Sequence, residues 1–507
     1  MSDRQRYATR PPQERALADS PRVVTGTTLL RSRTARLGLL AVLGTAGLAA
    51  AITAVSATGP GLSSAGRTTV VVFAAAVFLW VFTEVDDTYV ALGAAVTLVL
   101  TGVLSTEELF TTLGDDTVWL LLAAFVIAAG VTQSGLSTRA TAYVVCAARS
   151  PRGLFHLLTA ALVVTTFAVP STSGRAALAV PVFLVLARTF AERPLLVRAL
   201  ALLFPTVVLL SAVASLLGAG AHLVTSEVLT TATGSGISFV RWLLLGLPLG
   251  VVASHLAAEV VLLLFTSSEE RAQDLVLTPG DFEQDSPSPV TGPLTVAESR
   301  AALLLATVVL LWCTEPLHGV DPAVVALVGA LVATSPRYGS VGLSAGLKAA
   351  PWSLLLFLAA TLALGGALVS SGAAEWFAAG LFGGFSGGGA SVPFLVVVVV
   401  VSTAMHLLVQ SRSARSSVLV PIVVALAPAV GVSPVAAAFA STAAAGFCHT
   451  LPSSAKPVAL FAAVEDQATY APRDLLRLSL WLAPLHAPLV LVFTFAVWPV
   501  LGLDWRG

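Results

Sequence analysis

The ten residues "VPSTSGRAAL", Val169 to Leu178, decide how the chain is to be read. They sit between two apolar arms, Leu154–Ala168 and Ala176–Ala187. Proline cannot continue a helical hydrogen-bond ladder. Pro170 therefore breaks the apolar run, and Ser171, Thr172, Ser173, Gly174 and Arg175 follow the break. Each arm is short for a simple span, so the pair reads as a re-entrant hairpin over 153–190.

The surroundings support this. The chain has 507 residues, of which 56% are hydrophobic and 11% charged, and its mean hydropathy is +0.91. A soluble protein carries about a quarter charged residues. Apolar runs recur from Leu37 to Leu501. The fold class is thus an all-α polytopic membrane protein. The formal net charge is zero and the basic residues form no face, which argues against a nucleic-acid partner. Cys146, Cys313 and Cys448 lie in apolar sequence without metal spacing and read as small packing residues.

Spans are predicted near 37–57, 68–86, 88–105, 116–147, 198–232, 240–265, 297–315, 320–336, 350–372, 434–464 and 475–500. A second hairpin is predicted over 391–431, giving about eleven transmembrane helices plus two re-entrant hairpins. Residues 266–296 are acidic and rich in serine and proline, which suits a cytoplasmic linker. Residues 1–36 form a polar tail with eight arginines, too long for a signal n-region. Residues 37–67 hold the first span. The positive-inside rule puts the tail in the cytoplasm of a multi-pass protein of the cell membrane.

The chain repeats itself. "LWVFTEVDD" from Leu79 echoes "LWCTEPLHG" from Leu311, with Glu84 and Glu315 as structural markers. "VWLLLAAFVIAAGVTQSGL" from Val118 echoes "PWSLLLFLAATLALGGALVSSGA" from Pro351. "STSGRAALAVPV" from Ser171 echoes "SRSARSSVLVPI" from Ser411. Five spans per half is an odd number, so 68–265 and 297–507 are expected to be inverted repeats. Interrupted segments at matching places in inverted repeats mark a secondary transporter.

Each tip carries two serines, an arginine and, ten residues after the first serine, a proline (Pro181, Pro421). Hydroxyls and free carbonyls at such a tip suit a hard cation such as Na⁺, and the helix start beyond it suits an anion. Candidate Na⁺ ligands are Ser171, Ser173, Gly220, Ser411 and Ser413. A membrane arginine is functional by default, so Arg175 and Arg415 are candidate substrate ligands, as is Arg412. The competing readings are snorkelling and a buried ion pair. Two spans are also interrupted. "SLLGAGAHLVTSEVL" from Ser215 contains Gly218, Gly220, His222, Thr225 and Glu227; "GFCHTLPSSAKPVAL" from Gly446 contains His449, Ser453, Ser454 and Lys456. Thr225, Ser453, Ser454 and Lys456 join the substrate-binding set, and His222 and Glu227 are read as gating or coupling groups. No ATP-binding, nucleophile-elbow or zinc-protease motif is present, and "HLAAE" from His255 lacks a second histidine at zinc spacing. The expectation is no enzyme and no cofactor beyond a coupling ion.

These tips and breaks, with "TEPLHG…AVVALVGA", resemble the divalent anion:sodium symporter family from about residue 68 to 500. The resemblance implies di- or tricarboxylate or sulfate transport coupled to Na⁺, a homodimer, and an elevator in which a transport domain moves against a scaffold. It places the two tip triplets on Ser171, Thr172, Ser173 and on Ser411, Arg412, Ser413. The broken turns fall near Thr225–Ser226 and Ser453–Ala455. The family's tip asparagine is replaced by Thr172 and Arg412, and neither turn keeps its double proline. A sodium-independent anion exchanger, or an exporter of another oxyanion, is the alternative within the class. An anion channel is the alternative outside it, but a channel predicts no paired hairpin tips.

Overall fold

A computed structural model describes residues 62–83, 85–283, 290–374, 376, 390–452, 454–464 and 469–507. Residues 1–61, with the expected tail and most of the first expected span, lie outside these, as do Glu84 and Ser453. Among the described residues every extended regular element is helical, and the one β-type pairing is an isolated bridge, Val432 to Arg506. That follows from the composition, because in hydrocarbon a helix satisfies its own backbone donors and acceptors.

The main helices run α1 Ser64–Phe82, α2 Asp87–Leu100, α3 Asp116–Ser134, α4 Leu136–Cys146, α5 Pro151–Ala168, α6 Thr172–Thr189, α7 Pro194–Leu210, α8 Gly220–Thr233 and α9 Phe239–Phe265. The second half adds α10 Val296–Cys313, α11 Pro322–Ala333, α12 Trp352–Ser370, α13 Ser391–Ala404, α14 Arg412–Leu426, α15 Pro434–Ala444, α16 Lys456–Ala462 and α17 Pro472–Val492. Seven helical stretches among the described residues are long and apolar enough to cross a membrane. Several expected spans are shorter or divided. The run read as one span over 116–147 breaks between α3 and α4, where Gly135 takes φ 82°, a left-handed conformation that glycine adopts without steric cost.

Each expected hairpin falls on a pair of helices joined by a turn, but α5, at 18 residues, is itself long and apolar enough to cross a membrane, unlike the short arm expected. α5 and α6 flank a tip at Val169–Ser171, and α13 and α14 flank a turn that ends at Ser411. The two serines cap in the same way. Ser171 Oγ accepts from the Gly174 amide at 3.2 Å, and Ser411 Oγ accepts from the Ala414 amide at 3.3 Å. Pro181 and Pro421 lie inside α6 and α14.

Both interrupted helices are present too. After α7 the chain makes two short 3₁₀ turns, Ser211–Ala214 and Leu216–Gly218, before α8. Glycine is required in that crossing, since a Cβ on Gly218 would stand 2.0 Å from the Ala212 carbonyl oxygen. After α15 the chain runs without regular helix to Ala455, where α16 begins. Ala219 (φ −159°, ψ 148°) and Ala455 (φ −158°, ψ 147°) enter α8 and α16 in one conformation, and neither helix has a side-chain cap. The two entry residues thus share one extended backbone conformation.

α7 is the buried axis of the first half, packed against α5, α6, α9 and α16. α8 packs against α14 and α12, so each interrupted helix lies on the hairpin of the other half. The described part of the 266–296 segment is no free tether. Leu275, Leu277, Phe282 and Val290 are buried, and Arg139 donates to the carbonyls of Val290, Thr291 and Pro293 while pairing with buried Glu298 at 2.7 Å.

Candidate functional site

The tips of both hairpins and the starts of α8 and α16 converge on one cleft of ≈ 470 Å³. Tip one contributes Ser171, Thr172 and Ser173; tip two contributes Ser411, Arg412 and Ser413. The helix breaks contribute Gly220 and Lys456. The fit between halves is close. A Cβ on Gly220 would stand 3.1 Å from Ser413 Oγ, so glycine lets the second tip lie against the first half's break. The cleft therefore has hydroxyl oxygens and uncapped helix starts, with two cationic side chains, Arg412 and Lys456. That donor set suits an anion beside a hard cation.

Three polar lining residues are not among the candidates read from the sequence: Asp87, Ser353 and Gln410. Asp87 opens α2 and faces Ser411 and Lys456, so the cleft also holds one carboxylate. Asp87 ends the repeated "LWVFTEVDD", but it lies far in sequence from both tips. Gln410 directly precedes the second tip.

Other candidates do not line the cleft. Arg175 is 1% exposed and turned inward. Its Nε donates to Thr165 Oγ1 at 3.0 Å and its Nη1 to the Val208 carbonyl at 3.1 Å. Its Nη2 donates to the Leu162 carbonyl and to Ser211 Oγ, both at 2.6 Å. The charge is met by oxygens at the C-terminal ends of α5 and α7, where the helix dipole is negative. Arg175 thus fastens the first hairpin to the broken helix. Arg415 is fully buried behind the second tip.

Thr225 lies within α8, one helical turn or more past the break. Its hydroxyl donates to the Ala221 carbonyl at 2.8 Å and lies 2.6 Å from Thr442 Oγ1, which ties α8 to α15. The turn expected at Thr225–Ser226 lies at Ser211–Ala219 instead: Thr225 satisfies its hydroxyl within α8 and Ser226 bonds the Ile237 backbone beyond it, so neither interrupts the helix, whereas the glycine crossing leaves the α-helical path. His222 is buried, with Nδ1 2.9 Å from the Ser215 carbonyl and its ring stacked on Trp242, and so braces the crossing. Glu227 lies 3.5 Å from Thr117 Oγ1 and clusters with Asp115 and Asp116 at the start of α3. Ser454 accepts from the Leu451 amide at 3.0 Å and shapes the turn before α16.

Two tips, two helix breaks and a polar cleft between them mark a multi-pass membrane protein with one candidate site where these four segments meet. The family described as "Sodium:sulfate symporter transmembrane region" matches residues 39–503, and the chain belongs to it. It is a family of transporters, not of enzymes. A Cupriavidus necator protein named "Membrane protein" is 26% identical over 61% of this chain and 60% of its own length. "Putative malate transporter YflS" of Bacillus subtilis is 23% identical over 61% of this chain and 65% of its own. The match thus spans under two thirds of either relative. "Sodium-dependent dicarboxylate transporter SdcS" of Staphylococcus saprophyticus is 23% identical over 85% of this chain and 87% of its own. Among solved structures, the YdaH transporter of Alcanivorax borkumensis superposes with a TM-score of 0.48 at 18% identity, covering 79% of this chain and 89% of that one.

Proposed function

We propose that the protein is a secondary active transporter of small divalent anions, a di- or tricarboxylate or sulfate, driven by Na⁺ through elevator-type alternating access. One observation carries this reading: both hairpin tips and both helix breaks meet at a single cleft bearing Arg412, Lys456 and five hydroxyl-bearing tip residues. Arg412 and Lys456 supply positive charge to the two ends of the anion, Lys456 as a point charge at the start of α16 and Arg412 from the wall of the cleft. Na⁺ is held at the first tip by oxygens of Ser171 and Ser173 and by the backbone beside Gly220. Ser411 and Ser413 are weaker cation ligands, because the guanidinium between them repels a positive ion. The names of YflS and SdcS favour a dicarboxylate over sulfate.

Arg412 also supports the second reading, a sodium-independent exchanger, since a tethered cation offsets substrate charge without a coupling ion. The deciding experiment is uptake by proteoliposomes of malate, succinate, citrate and sulfate under a Na⁺ gradient, a proton gradient or counter-anion loading. Uptake that needs Na⁺ supports symport, and uptake that needs only counter-anion supports exchange. No uptake of any anion under any condition sinks both.

Two further readings belong here. The N-terminus is cytoplasmic, which a tag there tests by its inaccessibility to protease in intact cells. The protein is a homodimer, which native mass spectrometry of detergent-released protein tests; a monomer at all concentrations would overturn it.

A further inference from the structure

The second hairpin leaves a charge unanswered. Arg415 is fully buried, and none of its nitrogens, Nε, Nη1 or Nη2, has a hydrogen-bond partner. Arg412 is in the same position at Nε and Nη2, with one long contact from Nη1 to the Leu209 carbonyl at 3.3 Å. His449, also fully buried, has no partner on either ring nitrogen. More than half of the unpartnered buried polar side-chain atoms among the described residues belong to these three side chains and His486.

They form one group. Arg412 and Arg415 are three residues apart on α14, so they share a helix face. His486 of α17 faces Arg412 and the Ala443 carbonyl, while His406 lies near Arg415 and His449 near His406 and His486. Every one of these groups is cationic or neutral. The ion pairs among the described residues are Arg139–Glu298, Arg152–Glu259 and His156–Glu259, so no carboxylate answers Arg412 or Arg415. Both arginines also stand in the first turn of α14, the positive end of its dipole. An arginine cannot shed its proton, and a buried charge with neither counter-ion nor acceptor is not sustained. Water supplies acceptors but no charge.

We propose that a small inorganic anion of chloride size is held between Arg412 and Arg415 behind the second tip, flanked by His449. The site is internal. Arg415 does not line the open cleft, and the orphaned nitrogens are shielded from solvent, which sets this site apart from the cleft. Arg175, in the matching slot of the first tip, has its acceptors in the fold and calls for no such ion. Bound there, the anion holds Arg412 in place at the back of the cleft and lowers the local positive charge. The proposal stands whatever the transported substrate is.

The test uses purified full-length protein in lipid nanodiscs with no organic anion present. Chloride titrated against gluconate should raise the thermal unfolding midpoint saturably. Bromide in its place should give an anomalous scattering peak beside the Arg415 guanidinium in crystals. Arg415→Gln should unfold at one temperature in both salts, while Arg415→Lys keeps part of the chloride response. A midpoint indifferent to chloride in the wild-type protein overturns the proposal. So does a bromide peak confined to the open cleft by Ser171 and Ser411, or a full chloride response in Arg415→Gln. Should Arg415→Gln not fold, the bromide map of the wild type decides alone.

Discussion

The two hairpin tips share their serine cap, their arginine slot and their proline ten residues on, yet they use the arginine in opposite ways. In the first, Arg175 finds its acceptors on α5, on α7 and at Ser211, and becomes a fastening inside the fold. In the second, Arg415 finds no partner, and the neighbouring Arg412 enters the cleft. A repeated motif therefore transmits backbone shape more faithfully than side-chain duty. The cap needs only residues a few positions away, whereas an arginine's duty depends on which remote carbonyls its fork can reach.

The sharpest break in this comparison is mutational. Arg175→Met should destabilise the protein by about 3–5 kcal/mol, since it strands several buried acceptors and a hydroxyl at once. In chloride-free buffer Arg415→Met should cost under about 1 kcal/mol, because replacing an unpaired buried charge by an apolar group of similar length is often neutral. Unfolding midpoints of the two variants side by side check this, and equal losses would erase the contrast between the tips.

The cleft comes next. Arg412→Ala and Lys456→Ala should each weaken substrate binding by roughly 10- to 100-fold, as expected for one charge-assisted hydrogen bond of about 1.5–3 kcal/mol. Proteoliposome KM values should rise in both, and in Lys456→Ala the unfolding midpoint should stay close to that of the wild type. Arg175→Lys, by contrast, should lower the amount of folded protein and leave the KM of what remains unaltered. An unchanged KM in both cleft variants would remove these residues from the site.

A smaller effect is expected where the halves touch. Gly220→Ala places a methyl 3.1 Å from Ser413 Oγ and 3.0 Å from Leu354 Cδ1, so the second tip must shift by a few tenths of an ångström. The Na⁺ concentration for half-maximal uptake should rise several-fold. Smallest is Thr225→Val, which removes a buried hydrogen bond to Thr442 and should cost about 1 kcal/mol with transport retained. A large loss of transport in Thr225→Val would restore this threonine to the site.

Much of the backbone was legible in the sequence. Pro170, the serine caps and the glycines at 218 and 220 are local determinants, and they place both hairpins and the first break within a few residues. The assignment of arginines was not, because Val208 and Ser211 lie 33 and 36 residues from Arg175 and nothing in the local pattern points to them. The break at Gly135 escaped because a single glycine in an apolar run is usually tolerated in a helix. The pair Thr225–Ser226 has the composition of a polar turn, yet Thr225 bonds the preceding helical turn and Ser226 the backbone of Ile237, so neither needs a break. Asp87 was hidden by its distance in sequence from both tips.

The end of α7 holds one more consequence. Its neighbouring carbonyls, Val208 and Leu209, receive Arg175 from one hairpin and Arg412 from the other. Those two contacts act as a yoke: a movement that parted the tips would tear at this point first, whereas one that carried them together would leave it whole. Under the transport mechanism proposed above, cargo seated between tips joined in this manner would travel with them, and the sliding surface would lie elsewhere in the molecule.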